Sequence, residues 1–90
     1  MKEIFCRVQG RVQMVMFRDF ACRNARRYKL LGYVKNCSDG SVEVVAQGGE
    51  KVLHNYIARL ERGSLLSRVD KVEVEWHEPT MNFSNFEIRF

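Results

Sequence analysis

"GRVQMVMFR", residues 10 to 18, marks the place where the periodicity of the chain changes, and its reading decides the fold. Before it, "EIFCRVQ", residues 3 to 9, alternates Ile4, Cys6 and Val8 with Phe5, Arg7 and Gln9, a period of two that predicts a half-buried strand. After it, Phe17, Phe20, Ala21, Asn24, Ala25 and Tyr28 recur at three- and four-residue steps. That spacing predicts a helix over 18–29 with one core-facing stripe. Gly32 then reads as the helix stop. The quoted stretch is therefore expected to be a loop running from a strand into a helix N-terminus.

Further along, "LGYVKNCSDGSVEVVAQG" reads as a hairpin. Tyr33 to Cys37 form one strand, Asp39 and Gly40 supply the turn chemistry, and Val42, Val44 and Ala46 are the inward set of the next strand. Gly48 and Gly49 break that strand, and Leu53, Tyr56, Ile57 and Leu60 mark a second amphipathic helix ending near Gly63. "RVDKVEVEWHE" alternates Val72, Val74 and Trp76 with Glu73, Glu75 and His77, a fourth strand before Pro79; Phe86, Ile88 and Phe90 make a short terminal strand. The order is βαββαβ plus a final strand, with no linker, repeat or low-complexity segment. Two βαβ-like halves predict an α+β fold, the ferredoxin-like α/β sandwich, with both helices on one face of a mostly antiparallel sheet. Residues 1–90 are expected to form a single domain. This architecture hosts many unrelated functions, so function has to be argued from the site.

A 90-residue chain has material for one compact core and buries only about 60–65% of the surface its unfolded form exposes. Apolar residues are 46% and charged residues 29%, a composition far from that of disordered chains. Arg7 interrupts the N-terminus before any apolar run long enough for a signal peptide, and no stretch approaches the roughly 20 apolar residues of a membrane span. A cytoplasmic protein without a membrane partner is expected. Cys6, Cys22 and Cys37 are odd in number and form no C-x-x-C pair, so they read as reduced, mostly packed thiols. His54 and His77 lie outside any ligand cluster, and no metal site is expected.

Lys and Arg number 15 against 11 Asp and Glu, a net charge of +4 that favours anionic partners without choosing among them. The densest basic stretch, Arg23, Arg26, Arg27 and Lys29, reads as the solvated face of a helix. A basic helix without aromatics on the sheet surface argues against stacking of RNA bases, so nucleic acid is not an expected partner.

Between the first strand and the first helix, backbone N–H groups near Arg18 have no intrahelical partner and carry the positive end of the helix dipole. They form an anion site by default, and Arg18 adds a planar fork of donors suited to a phosphoryl group. A loop without anion-binding function has the same pattern. The stretch lacks G-x-x-x-x-G-K-[ST] and is no P-loop. No cysteine has an arginine six positions later, so a cysteine-based phosphatase loop is absent too.

"GRVQMVMFR" resembles the acylphosphatase signature Gly-x-Val-Gln-Gly-Val-x-Phe-Arg. "GYVKNCSDGSVEVVAQG" is similar to the second signature of that family, Gly-aromatic-Val-x-Asn followed by a glycine hairpin and a run ending in Gln-Gly, and "FSNFEIRF" is similar to its C-terminal strand. The resemblance covers nearly the whole chain. It implies a small enzyme that hydrolyses the carboxyl-phosphate bond of acyl phosphates, giving a carboxylate and inorganic phosphate, the latter also an inhibitor. It further implies no metal and no cofactor; nothing in the sequence demands more than a monomer. Residue by residue, it implies that Arg18 binds the phosphoryl group with the loop N–H groups of Gln13, Met14, Val15, Met16, Phe17 and Arg18. Asn36 would hold the attacking water; read without the resemblance, Asn36 is first an ordinary turn residue ahead of Asp39 and Gly40.

One residue departs from the pattern: Met14 stands where the family has its second loop glycine. If the same cradle forms, Met14 must either adopt positive φ or turn its N–H away from the anion. The sequence therefore supports two readings: an active acylphosphatase, or a module of the same fold that binds phosphate or another acidic partner with weak or no turnover.

Overall fold

The computed structural model describes residues 1–90 and places an uninterrupted strand, β1 (Lys2–Arg11), at the start. Its Ile4, Cys6 and Val8 are fully buried beneath two helices, as the alternation predicts. The remaining elements follow in the expected order: α1 (Phe17–Arg27), β2 (Leu31–Asn36), β3 (Val42–Gly48), α2 (Glu50–Arg62), β4 (Arg68–His77) and β5 (Phe86–Arg89). The five strands form one sheet in the order β4-β1-β3-β2-β5, antiparallel throughout except for the parallel pairing of β2 with β5. With two helices over this sheet, the α+β, ferredoxin-like architecture is as expected.

The helices are joined by Tyr56, whose hydroxyl donates to the carbonyl of Ala21 at 2.9 Å beneath complete burial. Phe17, Ala21 and Ala25 of α1 and Leu53, Tyr56 and Leu60 of α2 meet Val34, Val42, Val44 and Ala46 of the sheet to make the core. Burial also pushes the Cys6 thiol up to about 12 and the Cys22 thiol up from its usual value. All three cysteines are unpaired; Cys6 and Cys22 are buried and Cys37 is half-buried.

Gly32 does not stop the first helix. The helix ends at Arg27, and Lys29 at φ 60° makes the left-handed reversal that the sequence reading had assigned to a glycine. Gly32 lies instead within β2 at φ 144°, where a Cβ would collide with the backbone carbonyl of Val45 on the neighbouring strand. Gly10 has a parallel role at the bulge between Gln9 and Gly10 in the β1–β4 ladder, with φ 133° and the carbonyl of Arg68 against its Cα.

One end of the second face of the sheet is also covered. Residues 78–85 leave β4 at one edge and cross to β5 at the other, touching β1, β3 and β2 in turn. Thr80 donates from its N–H and its hydroxyl to Glu3, Gln47 donates to the carbonyl of Met81 at 2.6 Å, and Phe83 packs 6.0 Å from Tyr33. This crossover explains why Val45 and Gln47, on the outward side of the alternation in β3, are only 2% and 3% exposed. Glu3 beneath it is 1% exposed. Desolvation pushes its carboxyl up, but hydrogen bonds from Gln47 and Thr80 and the neighbouring His77 outweigh that, leaving its pKa lower than usual.

Candidate active site

Val12 is buried, and the chain then leaves the sheet for the four residues before α1, Gln13 to Met16. Two of these four are left-handed: Met14 at φ 61° and Met16 at φ 61° and ψ 27°, with Val15 between them on the negative side. Alternating the sign of φ turns successive N–H groups toward one side of the chain, the concave arrangement that binds anions. The N–H groups of Gln13, Met14, Val15 and Met16 donate to no acceptor in the protein. Immediately beyond them, α1 begins without a side-chain cap, so its first-turn N–H groups are free as well. Met14 therefore takes the first of its two options, positive φ, with its side chain 99% exposed and clear of the cradle.

Gln13 has a different task from its neighbours. Its side-chain amide donates to the carbonyl of Cys37 at 2.7 Å and to that of Ser41 at 2.8 Å, tying the loop to the β2–β3 turn. That turn is itself closed. Cys37 N–H donates to the carbonyl of Ser41 at 2.8 Å, and Asp39 accepts from the N–H and hydroxyl of Ser41 at 2.9 and 2.6 Å. Arg7 donates to the Ser41 hydroxyl at 3.0 Å and approaches Asp39 to 3.5 Å. The hydrogen bonds to Ser41 hold the Asp39 carboxyl below its usual pKa, with Arg7 adding to the effect.

Asn36 takes part in none of these turn contacts. It ends β2 opposite Val42, and its side-chain oxygen is buried without a hydrogen-bond donor from the protein. Such an atom is costly, by about 1–3 kcal/mol, unless something else satisfies it. The reading of Asn36 as a turn former is thus left without a bond to support it.

Arg18 reaches the same end of the sheet from the helix side. Its guanidinium lies 4.7 Å from the ring centroid of Phe90, and Nη1 donates to the carbonyl of Arg89 at 3.4 Å. Arg89 pairs with Lys35, one residue before Asn36, so the carbonyl that Arg18 touches lies beside the strand end carrying Asn36. Phe90, expected within the terminal strand, lies instead just beyond β5, fully exposed, and serves as the surface on which Arg18 rests. The Arg89 guanidinium sits 4.2 Å over the Tyr33 ring.

Several other charged or titratable side chains are engaged elsewhere. Arg23 pairs with Asp19 at 2.9 Å, and Arg26 donates to the carbonyl of Phe86 at 3.0 Å. His54 stacks on Trp76 at 4.7 Å, and His77 contacts Glu3 at 3.2 Å. No group of three or more His, Cys, Asp or Glu side chains is arranged to hold a metal ion, and no helix is long and apolar enough to cross a membrane. The sequence offered no signal for the Gln13 staple, because its acceptors are main-chain carbonyls.

A two-helix sandwich with a run of unpartnered main-chain N–H groups, an arginine and an unpaired amide oxygen defines the class, an α+β domain with free donors between its first strand and first helix. Known proteins narrow it. A model of the acylphosphatase family matches residues 4–88. The acylphosphatase of Salinibacter ruber is 40% identical over 88 residues, covering 98% of this chain and 93% of the relative; that of Thermus thermophilus is 44% identical over 78 residues, covering 87% and 89%. The crystal structure of acylphosphatase from Bacillus subtilis superposes with a TM-score of 0.96 at 36% identity, covering all of both chains. The chain belongs to the acylphosphatase family and is an enzyme.

Proposed function

We propose that this protein hydrolyses acyl phosphates by binding the phosphoryl group in the cradle of residues 13 to 18 and directing a water at phosphorus from Asn36. The observation that carries this reading is the pair of left-handed residues, Met14 and Met16, that leaves four consecutive N–H groups without a partner. Arg18 supplies the full charge that the N–H dipoles lack, and its fork spans two phosphoryl oxygens. In the attack the water oxygen forms a bond to phosphorus while the bond from phosphorus to the carboxyl oxygen breaks. The electron pair departs with the carboxylate, and the water's proton ends on the phosphate or in solvent. A carboxylate is a good leaving group, so positioning and electrostatic stabilisation suffice.

The Asn36 oxygen supports the second half of the proposal, since a buried acceptor is satisfied by a water O–H and orients it. The reading requires no metal or cofactor. It has the chain working as a cytoplasmic monomer, with inorganic phosphate as product and inhibitor; the three unpaired cysteines accord with a reducing compartment. The alternative is a phosphate-binding module that has lost turnover at Met14. Release of phosphate from acetyl and benzoyl phosphate separates the two: turnover inhibited competitively by phosphate is expected, and phosphate binding without turnover overturns the proposal.

A further inference from the structure

The connection from α2 to β4 displays two leucines where a chain gains nothing by exposing them. Ser67 Oγ accepts from the N–H of Ser64 at 2.8 Å and donates to the Ser64 carbonyl at 3.0 Å, and the Ser67 N–H donates to that carbonyl at 3.2 Å. The turn is therefore closed on itself, with Leu65 and Leu66 at its two central positions. Glycine, proline and short polar residues predominate at such positions. Leu65 is 98% exposed and Leu66 67% exposed, against the strong tendency of leucine toward the interior.

These leucines face a groove of about 340 Å³ whose other wall includes Val15, Met16, Phe20 and Arg23. Val15 and Met16 are two of the residues whose N–H groups form the anion cradle, so the groove opens directly beside it. Met16 is itself 71% exposed. Five of the eight residues lining the groove are apolar, and its one arginine is paired with Asp19. Exposed apolar side chains gathered around one polar site mark a ligand surface.

We propose that this groove receives the acyl group of the substrate, and that Leu65, Leu66 and Met16 favour acyl phosphates whose acyl group is bulky and apolar. The inference rests on the phosphate-cradle reading above. With the phosphoryl group on the N–H groups of residues 13 to 16, a group joined to it through the bridging oxygen passes over the wall made by Val15 and Met16. A phenyl ring or branched chain extends further along this groove than a methyl group does. Contacts of this kind discriminate by hydrophobic burial and give modest selectivity.

The test compares benzoyl with acetyl phosphate in the wild type and in a Leu65→Ser, Leu66→Ser double variant. Both substitutions lie at exposed turn positions, so the fold is preserved. The ratio of kcat/KM for benzoyl over acetyl phosphate is expected to fall about tenfold in the variant, while inhibition by inorganic phosphate, which has no acyl group, holds. An unaltered ratio, or equal losses on both substrates, overturns the proposal. So does an unaltered ratio accompanied by loss of a wild-type dimer, which would make the leucines a contact between copies of the chain. A second measurement is independent of turnover: benzoylphosphonate, in which carbon is bonded directly to phosphorus, should shift the methyl resonances of Leu65 and Leu66, and methylphosphonate should not. If the wild type hydrolyses neither substrate, the catalytic reading fails; if benzoylphosphonate binds without moving either leucine, the acyl site alone fails.

Discussion

Gln13 and Cys37 are joined by a 2.7 Å hydrogen bond from side-chain amide to main-chain carbonyl, and the same amide reaches Ser41 at 2.8 Å. These bonds tie the loop before α1 to the turn that follows Asn36. Gln13→Ala should lower the unfolding free energy by about 1–3 kcal/mol, since two carbonyls lose their donor. It should also lower kcat, by about a hundredfold if the cradle shifts by about 1 Å against Asn36. Urea unfolding and steady-state kinetics on the variant check both; normal turnover with reduced stability would show that the staple serves only the fold.

Arg18→Lys is expected to abolish hydrolysis and weaken inhibition by phosphate, with Arg18→Ala more severe in both. Lysine offers a point charge in place of a two-donor fork. The side chain is half-exposed and lies against Phe90 at the surface, so the fold survives. Equal phosphate inhibition in wild type and variant would remove Arg18 from the site.

Asn36→Ala should reduce kcat far more than it raises KM, because the amide is proposed to act on water and not on bound substrate. Removing an unpaired buried oxygen should at the same time leave the protein no less stable. A pure KM effect would show that Asn36 binds substrate.

Met14→Gly relieves a left-handed methionine, a strain of about 1–2 kcal/mol, and adds unfolded-chain entropy worth about 0.4–1 kcal/mol. The net expectation is a gain of about 0.5 kcal/mol in stability, with kcat/KM raised and phosphate bound more tightly as the cradle becomes better populated. Met14→Val should move all three the other way, because a β-branched residue is an outlier at positive φ. Side-by-side thermal unfolding and phosphate inhibition decide it.

Glu3 provides a pH signature. Its folded carboxyl titrates below the unfolded one, so the stability it contributes is fully present above the unfolded pKa of about 4.3 and is lost as pH falls through the lower folded value. Unfolding free energy should decline below about pH 4, and Glu3→Gln should remove that part of the decline. A variant with the wild-type acid profile would assign the loss to other carboxyls.

The order of elements was legible because β1, α1 and α2 carry clean periods of two or of three and four, and because Asp39 and Gly40 mark their turn. Three features escaped for physical reasons. Gly32 was misread because a glycine that admits a neighbouring carbonyl is indistinguishable in sequence from one that ends a helix, while Lys29 gives no sign of adopting positive φ. The burial of Glu3 and Gln47 depends on the crossover of residues 78–85, a long-range contact that local pattern does not encode. Phe90 extended an alternating pattern by one step, yet no partner strand reaches it, and it became a platform for Arg18. Of the site, "GRVQMVMFR" and the Asn36 hairpin were visible as family motifs. What they could not show was that Met14 accepts the left-handed geometry, or that Gln13 binds the two motifs together.

Arg18 and the carbonyl it touches on Arg89 are 71 residues apart, and the strand that presents that carbonyl is the shortest of the five and pairs in parallel. Contacts of such long range close late, because loop entropy opposes them until the rest of the chain is in place. A folding chain can therefore pair β2 with β3 and set Val34 against Val44 while Arg18 still lacks its carbonyl. If Arg18 holds the phosphoryl group as proposed, turnover reports the docking of β5, and activity regained on refolding should lag behind burial of the β2–β3 hairpin.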